Sequence, residues 1–124
     1  MPALESLRGL RVVADPAALD GAVWRGADVA VLRLAPDDVF AIGAETVDID
    51  DEHAIVEQEP GFAGAWLPVE VIAHHLEWPL PAERPALAQG FVATVPAKVW
   101  LPDDGEALLL TAAAYADELA GRLR

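Results

Sequence analysis

Ala54-Ile55-Val56-Glu57-Gln58-Glu59-Pro60-Gly61-Phe62-Ala63-Gly64-Ala65-Trp66-Leu67-Pro68 is the stretch on which the reading of the fold turns. Ala54–Glu59 has β character, and Pro60-Gly61 reads as the break that ends it. A helix is then expected to open near Pro68, because the fixed φ of proline suits a first helical turn. Ala65, Val69, Ile72 and Leu76 follow one another at spacings of four, three and four, which places them on one buried face. The helix carries Trp66 to Trp78, and Pro79 stops it.

Downstream, Pro79–Pro85 is an extended loop stiffened by Pro79, Pro81 and Pro85. Phe91–Val95 and Lys98–Leu101 read as strands, with Pro96 at a turn, a bulge or an edge. Asp103-Asp104-Gly105 turns the chain into a last strand, Ala107–Leu110. Thr111 is expected to cap a closing helix whose stripe is Ala112, Ala116, Leu119 and Leu123. Arg122 and Arg124 suit the negative end of that helix, and Glu118 can pair with Arg122 one turn on. The order from Ala54 to Leu123 is β-α-β-β-(β)-α, which predicts a single α+β domain over residues 1–124.

Upstream, Leu10–Val13 reads as a short strand closed by Asp15-Pro16, and Ala17–Ala22 as no more than a helical turn. Val29–Leu34 and Val39–Gly43, with Pro36-Asp37-Asp38 between them, predict a hairpin. Residues 1–28 are either a loosely packed N-terminal extension or a frame for another subunit.

Composition narrows the function classes. The chain has 124 residues, enough for one core, and 54% of them are hydrophobic. Abundant alanine is the first explanation of such a fraction, and a surface that covers a partner is the competing one. Net charge is −13 and Lys98 is the sole lysine, so there is no cation cluster for a phosphate backbone or an anionic membrane. With no cysteine, disulfides, thiolate catalysis and cysteine-ligated metals are excluded. No signal-peptide pattern and no membrane-spanning stretch is visible, and a cytoplasmic location is the simplest expectation.

Candidate chemistry is sparse. His74 and His75 are adjacent, so on a helix they diverge by about 100° and do not share a metal easily. A small-ligand or enzymatic site would have to gather them with acids such as the Asp48–Glu52 run, which lacks the glycine and spacing of a calcium loop. No nucleophile triad and no phosphate-cradling glycine loop can be assembled, so no catalytic, metal or cofactor residue is assigned. Trp24, Trp66, Trp78 and Trp100 fit ordinary core positions or interface anchors. Trp66, Trp78, Pro79, Pro81, Pro85 and Trp100 form the candidate partner-binding surface, with Trp78 and its proline loop as the leading patch. A protein partner is expected, either a different chain or a second copy in a self-associating structural protein.

Local motifs add a family resemblance over about residues 29–123. Val31–Gly43 resembles the L-x-P-D-x-(apolar)4-G hairpin of the sarcosine oxidase gamma-subunit family, which is related to the folate-binding aminomethyltransferase fold. Val47–Asp50 resembles its V-D-hydrophobic-S element, with Asp50 in place of the serine. Ala54–Glu59 with Pro60-Gly61 resembles its next strand and Gly-Pro, and Trp78-Pro79-Leu80-Pro81 falls at its Cys-Pro-Leu-Asp-Leu turn. Phe91–Thr94, Val95–Trp100 and Ala107–Leu110 take the places of its last strands. The resemblance implies a ferredoxin-like domain, an antiparallel sheet with two main helices on one face. It also implies a non-catalytic accessory subunit of a heterotetrameric sarcosine or amine oxidase, whose partner subunits carry flavin, NAD and folate.

Overall fold

The computed structural model describes residues 3–123. It is mostly β. Seven strands are hydrogen-bonded in the order β2-β3-β1-β4-β7-β6-β5. They are β1 (Glu5–Val13), β2 (Val23–Ala35), β3 (Asp38–Asp48), β4 (Ile55–Leu67), β5 (Ala86–Val92), β6 (Val95–Leu101) and β7 (Ala107–Ala112). The pairings β1–β3, β2–β3, β4–β7, β5–β6 and β6–β7 are antiparallel. The helices are short: α1 (Pro16–Asp20), α2 (Val69–Ala73) and α3 (Ala116–Arg122), the last preceded by a 3-10 turn at Ala113–Tyr115.

The expected ferredoxin-like domain with two main helices is therefore corrected to an antiparallel sheet with three short helices. Two residue-level expectations fail with it. Pro60-Gly61 does not break the chain, because β4 runs through both to Leu67. Pro60 precedes the Phe62–Leu67 segment that ladders onto β7, so its missing N–H removes no bond from that ladder. Trp66 consequently lies in a strand, and α2 retains only Val69–Ala73 of the expected helix. Thr111 is not a cap. It is a buried β7 residue whose Oγ1 donates to the Pro96 carbonyl at 2.7 Å.

The contacts group into two units, Leu7–Pro60 and Gly61–Arg124 with Met1–Ser6. In Leu7–Pro60 the core gathers Leu10 and Val12 of β1, Leu19 of α1, and Val39, Ala41 and Ala44 of β3. The predicted hairpin is present, with Pro36-Asp37 as its turn. Asp15 caps α1 by accepting from the Ala17 N–H at 2.9 Å. Arg11 fixes the strand ends of this unit. Its Nε and Nη2 donate to both carboxylate oxygens of Asp38, at 2.6 and 2.7 Å, and its Nη1 donates to Glu59 at 2.8 Å. The bond to Asp38, with Glu59 in support, raises the Arg11 pKa against the opposing effect of burial.

In the other unit, register sorts residues onto two faces of the strands. Leu67, Ala107, Leu109, Val99, Leu101, Ala97, Val95 and Val92 alternate onto one face. There they bury against Ile72 of α2, Leu119 of α3 and Leu123 just after it. The opposite face carries Trp66, Leu108, Trp100 and Leu87 in one cross-strand row, since Leu108 is the partner of both tryptophans and Leu87 that of Trp100.

Candidate functional site: the β5–β6 hairpin and its tryptophans

The β5–β6 hairpin turns on two residues, Ala93 and Thr94, with φ of 48° and 68°. Positive φ at both central positions is what a two-residue hairpin needs to follow the strand twist, and glycine or asparagine is its usual occupant. Alanine and a β-branched threonine are strained there. Arg122 of α3 holds the turn, donating through Nη1 to Thr94 Oγ1 and, at 3.4 Å, to the Ala93 carbonyl. Its Nη2 meanwhile pairs with Glu118 at 2.7 Å, the predicted one-turn ion pair.

Trp78 braces the same hairpin. Its indole N–H donates to the Phe91 carbonyl at 2.8 Å, and the ring lies over Gly90. A Cβ on Gly90 would stand 3.0 Å from the Trp78 ring, so glycine is what lets the indole approach. Phe91 is 63% exposed beside this contact.

Two cavities flank the hairpin. One of about 720 Å³ is lined by His75, Glu77, Trp78, Gly90, Ala93 and Thr94, among others. The second, of about 380 Å³, has walls that include Phe62, Phe91, Pro96, Leu110 and Tyr115, and Lys98 with its Nζ on Gln89 Oε1 at 3.0 Å. Both volumes fall in the range of small-molecule sites, roughly 300–1,000 Å³.

The residues singled out from sequence divide between the two faces. Trp66, 44% exposed, and half-buried Trp100 share the row beside Leu108, about 10 Å apart by strand spacing. Trp78 packs against the buried core on the other face. Pro79 and Pro85 are exposed and Pro81 is half-buried, in a loop that Arg84 staples by donating to the Pro81 and Glu83 carbonyls. Trp24 packs partly buried against the Leu7–Pro60 core.

His75 is half-buried on the larger cavity and meets exposed His74 edge to face, 5.4 Å between ring centroids. Among the described residues lining that cavity, Glu77 is the one carboxylate side chain. In the acidic run, Asp48 pairs with Arg25 at 2.7 Å. Asp51 accepts from the backbone N–H groups of Asp15 and His53, which lowers its pKa. Among the described residues, no group of three or more His, Cys, Asp or Glu could hold a metal ion. No helix among them is long and apolar enough to cross a membrane.

Sequence reading missed the Ala93-Thr94 turn and the exposed Phe91. Neither turn residue is glycine or asparagine, so the usual signal was lacking. The Phe91 position was legible only as one phase of an alternating strand.

No protein-family model and no curated protein matches the sequence. Among solved structures, the chain is similar to a chain of the heterotetrameric sarcosine oxidase from Corynebacterium sp. U-96 in complex with pyrrole 2-carboxylate. Identity is 15%, the TM-score is 0.67, and the match covers 97% of this chain and 79% of that one. At that identity the likeness is one of fold.

Proposed function

We propose that this protein is a non-catalytic, protein-binding accessory subunit, of the kind that completes a heteromeric amine-oxidising enzyme. The observation that carries the reading is the exposed aromatic set: Trp66, Phe91 and Tyr115 are 44%, 63% and 42% exposed in one unit. Large aromatic side chains left in water are the residue class that supplies binding energy at protein interfaces. The fold shared with a chain of a heterotetrameric enzyme supports the same reading. Flavin, NAD and folate chemistry belongs, on this proposal, to the partner subunits.

The test is purification of the tagged full-length chain from its native host. A larger partner in fixed stoichiometry, weakened by Trp66→Ala or Trp78→Ala by at least about 2 kcal/mol, is the expected result. Recovery of the bait alone as a monodisperse monomer overturns the proposal.

A second reading rests on the cavity of about 720 Å³ beside His75, Glu77 and Trp78, whose size suits a small ligand. Native mass spectrometry of the host-purified chain separates the two, since this reading requires a small molecule to travel with it. Self-association as a structural protein is the weaker alternative, because a net charge of −13 on each copy opposes it.

A further inference from the structure

The β5 edge bears on how a partner would be held. β5 ends the strand order, so among the described residues one of its two sides has no strand against it. Its register with β6 runs unbroken through all seven pairs from Ala86↔Leu101 to Val92↔Val95. The strand at the other end of the order, β2, is different: its register slips at Arg25/Gly26, Gly26/Ala30 and Arg33/Ala35, and Asp28 sits at a φ of 50°. Bulges of that kind twist an edge away from further pairing. β5 has no such protection.

The turn fixes which groups face outward. A two-residue hairpin makes Val92↔Val95 its hydrogen-bonded closing pair, and such pairs then alternate at Gly90, Ala88 and Ala86. The main-chain groups of Phe91, Gln89 and Leu87 therefore aim away from β6. The indole N–H of Trp78 already bonds the Phe91 carbonyl on that side. Among the described residues, no hydrogen bond reaches the outward main-chain groups of Gln89 or Leu87.

We infer that the β5 edge takes an extended segment of a partner protein as an added strand, paired at Leu87 and Gln89, with a basic side chain entering the cavity beside Trp78 and Glu77. Main-chain bonds and a side-chain pocket are the two parts of strand-addition recognition. Charge selects the occupant. Glu77 is exposed on the cavity wall, and no lysine or arginine is among the described residues lining it. Arg122, at the cavity's Ala93-Thr94 rim, is already paired with Glu118, and the chain carries −13 overall. A cation there gains both the carboxylate and the neighbouring indole. A second copy of this acidic chain is the wrong occupant for the same reason. The inference rests on the accessory-subunit reading and specifies how the partner is held.

The test titrates the full-length chain with short acetylated, amidated peptides, one alternating lysine with valine and one alternating glutamate with valine, while amide NMR signals are followed. The lysine peptide is expected to shift the Leu87 and Gln89 amides and slow their exchange, and the glutamate peptide is not. Gln89→Pro deletes an outward N–H without touching the β6 ladder, and should weaken binding by at least about tenfold. Gln89→Ala truncates the same side chain but keeps the N–H, and should bind the lysine peptide more tightly than Gln89→Pro does. Glu77→Lys, a surface change that spares the backbone, should weaken the lysine peptide alone. Absent binding, shifts confined to other strands, equal binding of both peptides, or parent-like affinity in Gln89→Pro with preserved spectral dispersion would each overturn the inference. A host partner retained unchanged by Gln89→Pro would end this inference and leave the accessory reading intact. Peptide binding at β5 with no host partner would do the reverse.

Discussion

Thr94 offers a direct measure of the strain stored beside the cavity. It sits at a φ of 68°, is exposed, and accepts from Arg122. A non-glycine residue in the left-handed region is unfavourable by roughly 1–2 kcal/mol, with β-branching toward the upper end. Three substitutions separate strain from the hydroxyl contact. Thr94→Asn tolerates the conformation and keeps an oxygen for Arg122, so the full relief of about 1 kcal/mol should appear as added stability. Thr94→Gly gains the same relief, but gives it back, about 1 kcal/mol, through a looser unfolded chain and also loses the acceptor, so it should fall about 0.5–1 kcal/mol below the parent. Thr94→Val keeps the branched strain and removes the acceptor, which should destabilise by about 0.5–1 kcal/mol. With an unfolding entropy near 2.1 cal/mol/K per residue, 1 kcal/mol corresponds to about 4 °C in Tm for a chain of this length. Denaturant melts of the series should rank Asn above the parent, with Gly and Val together below it. A stabilised Val variant, or an Asn variant no better than Val, would refute the assignment of strain to this turn.

Three further outcomes follow from other contacts. Trp78→Phe removes the indole donor from the Phe91 carbonyl while keeping a ring over Gly90, so it should lose about 1 kcal/mol in a denaturant melt. Asp38→Asn leaves Arg11 with Glu59 as its remaining carboxylate partner, and a loss of about 2 kcal/mol is expected by the same measurement. Asp51 has its folded pKa depressed below the usual 3.8 by the Asp15 and His53 N–H groups. Its contribution to stability is therefore complete above the unfolded value and lost as pH falls through the folded one. Asp51→Asn should make stability less steep in that acid window and should change the slope little near neutrality.

What was legible in the sequence was local. The β2–β3 hairpin could be read because Pro36-Asp37 separates two runs of β character, and turn chemistry of that kind acts within a few residues. The helix expected after Pro60-Gly61 misled because the spacing of Ala65, Val69, Ile72 and Leu76 overlaps the alternation of Ala63, Ala65 and Leu67. Pairing with β7 decided for the strand, and only Ile72 of that set is fully buried from the helical side. Thr111 fits a cap by type, yet the Pro96 carbonyl on β6 claims its hydroxyl. The contact of Trp78 with Gly90 and Phe91 joins residues too distant in sequence for periodicity to reveal. The candidate tryptophans were thus visible by type, whereas their division between two faces follows from register for Trp66 and Trp100 and from the Gly90 and Phe91 contacts for Trp78.

The central claim is that this chain works by holding another protein. Its most direct test is the mass and composition of what leaves the native host with the tagged full-length chain, measured by light scattering and mass spectrometry of the eluted species. The account predicts a stable species containing a different, larger chain in fixed ratio, depleted when Trp66 or Trp78 is replaced by alanine. A homogeneous monomer with no partner, equally well behaved in the parent and in both variants, would contradict it.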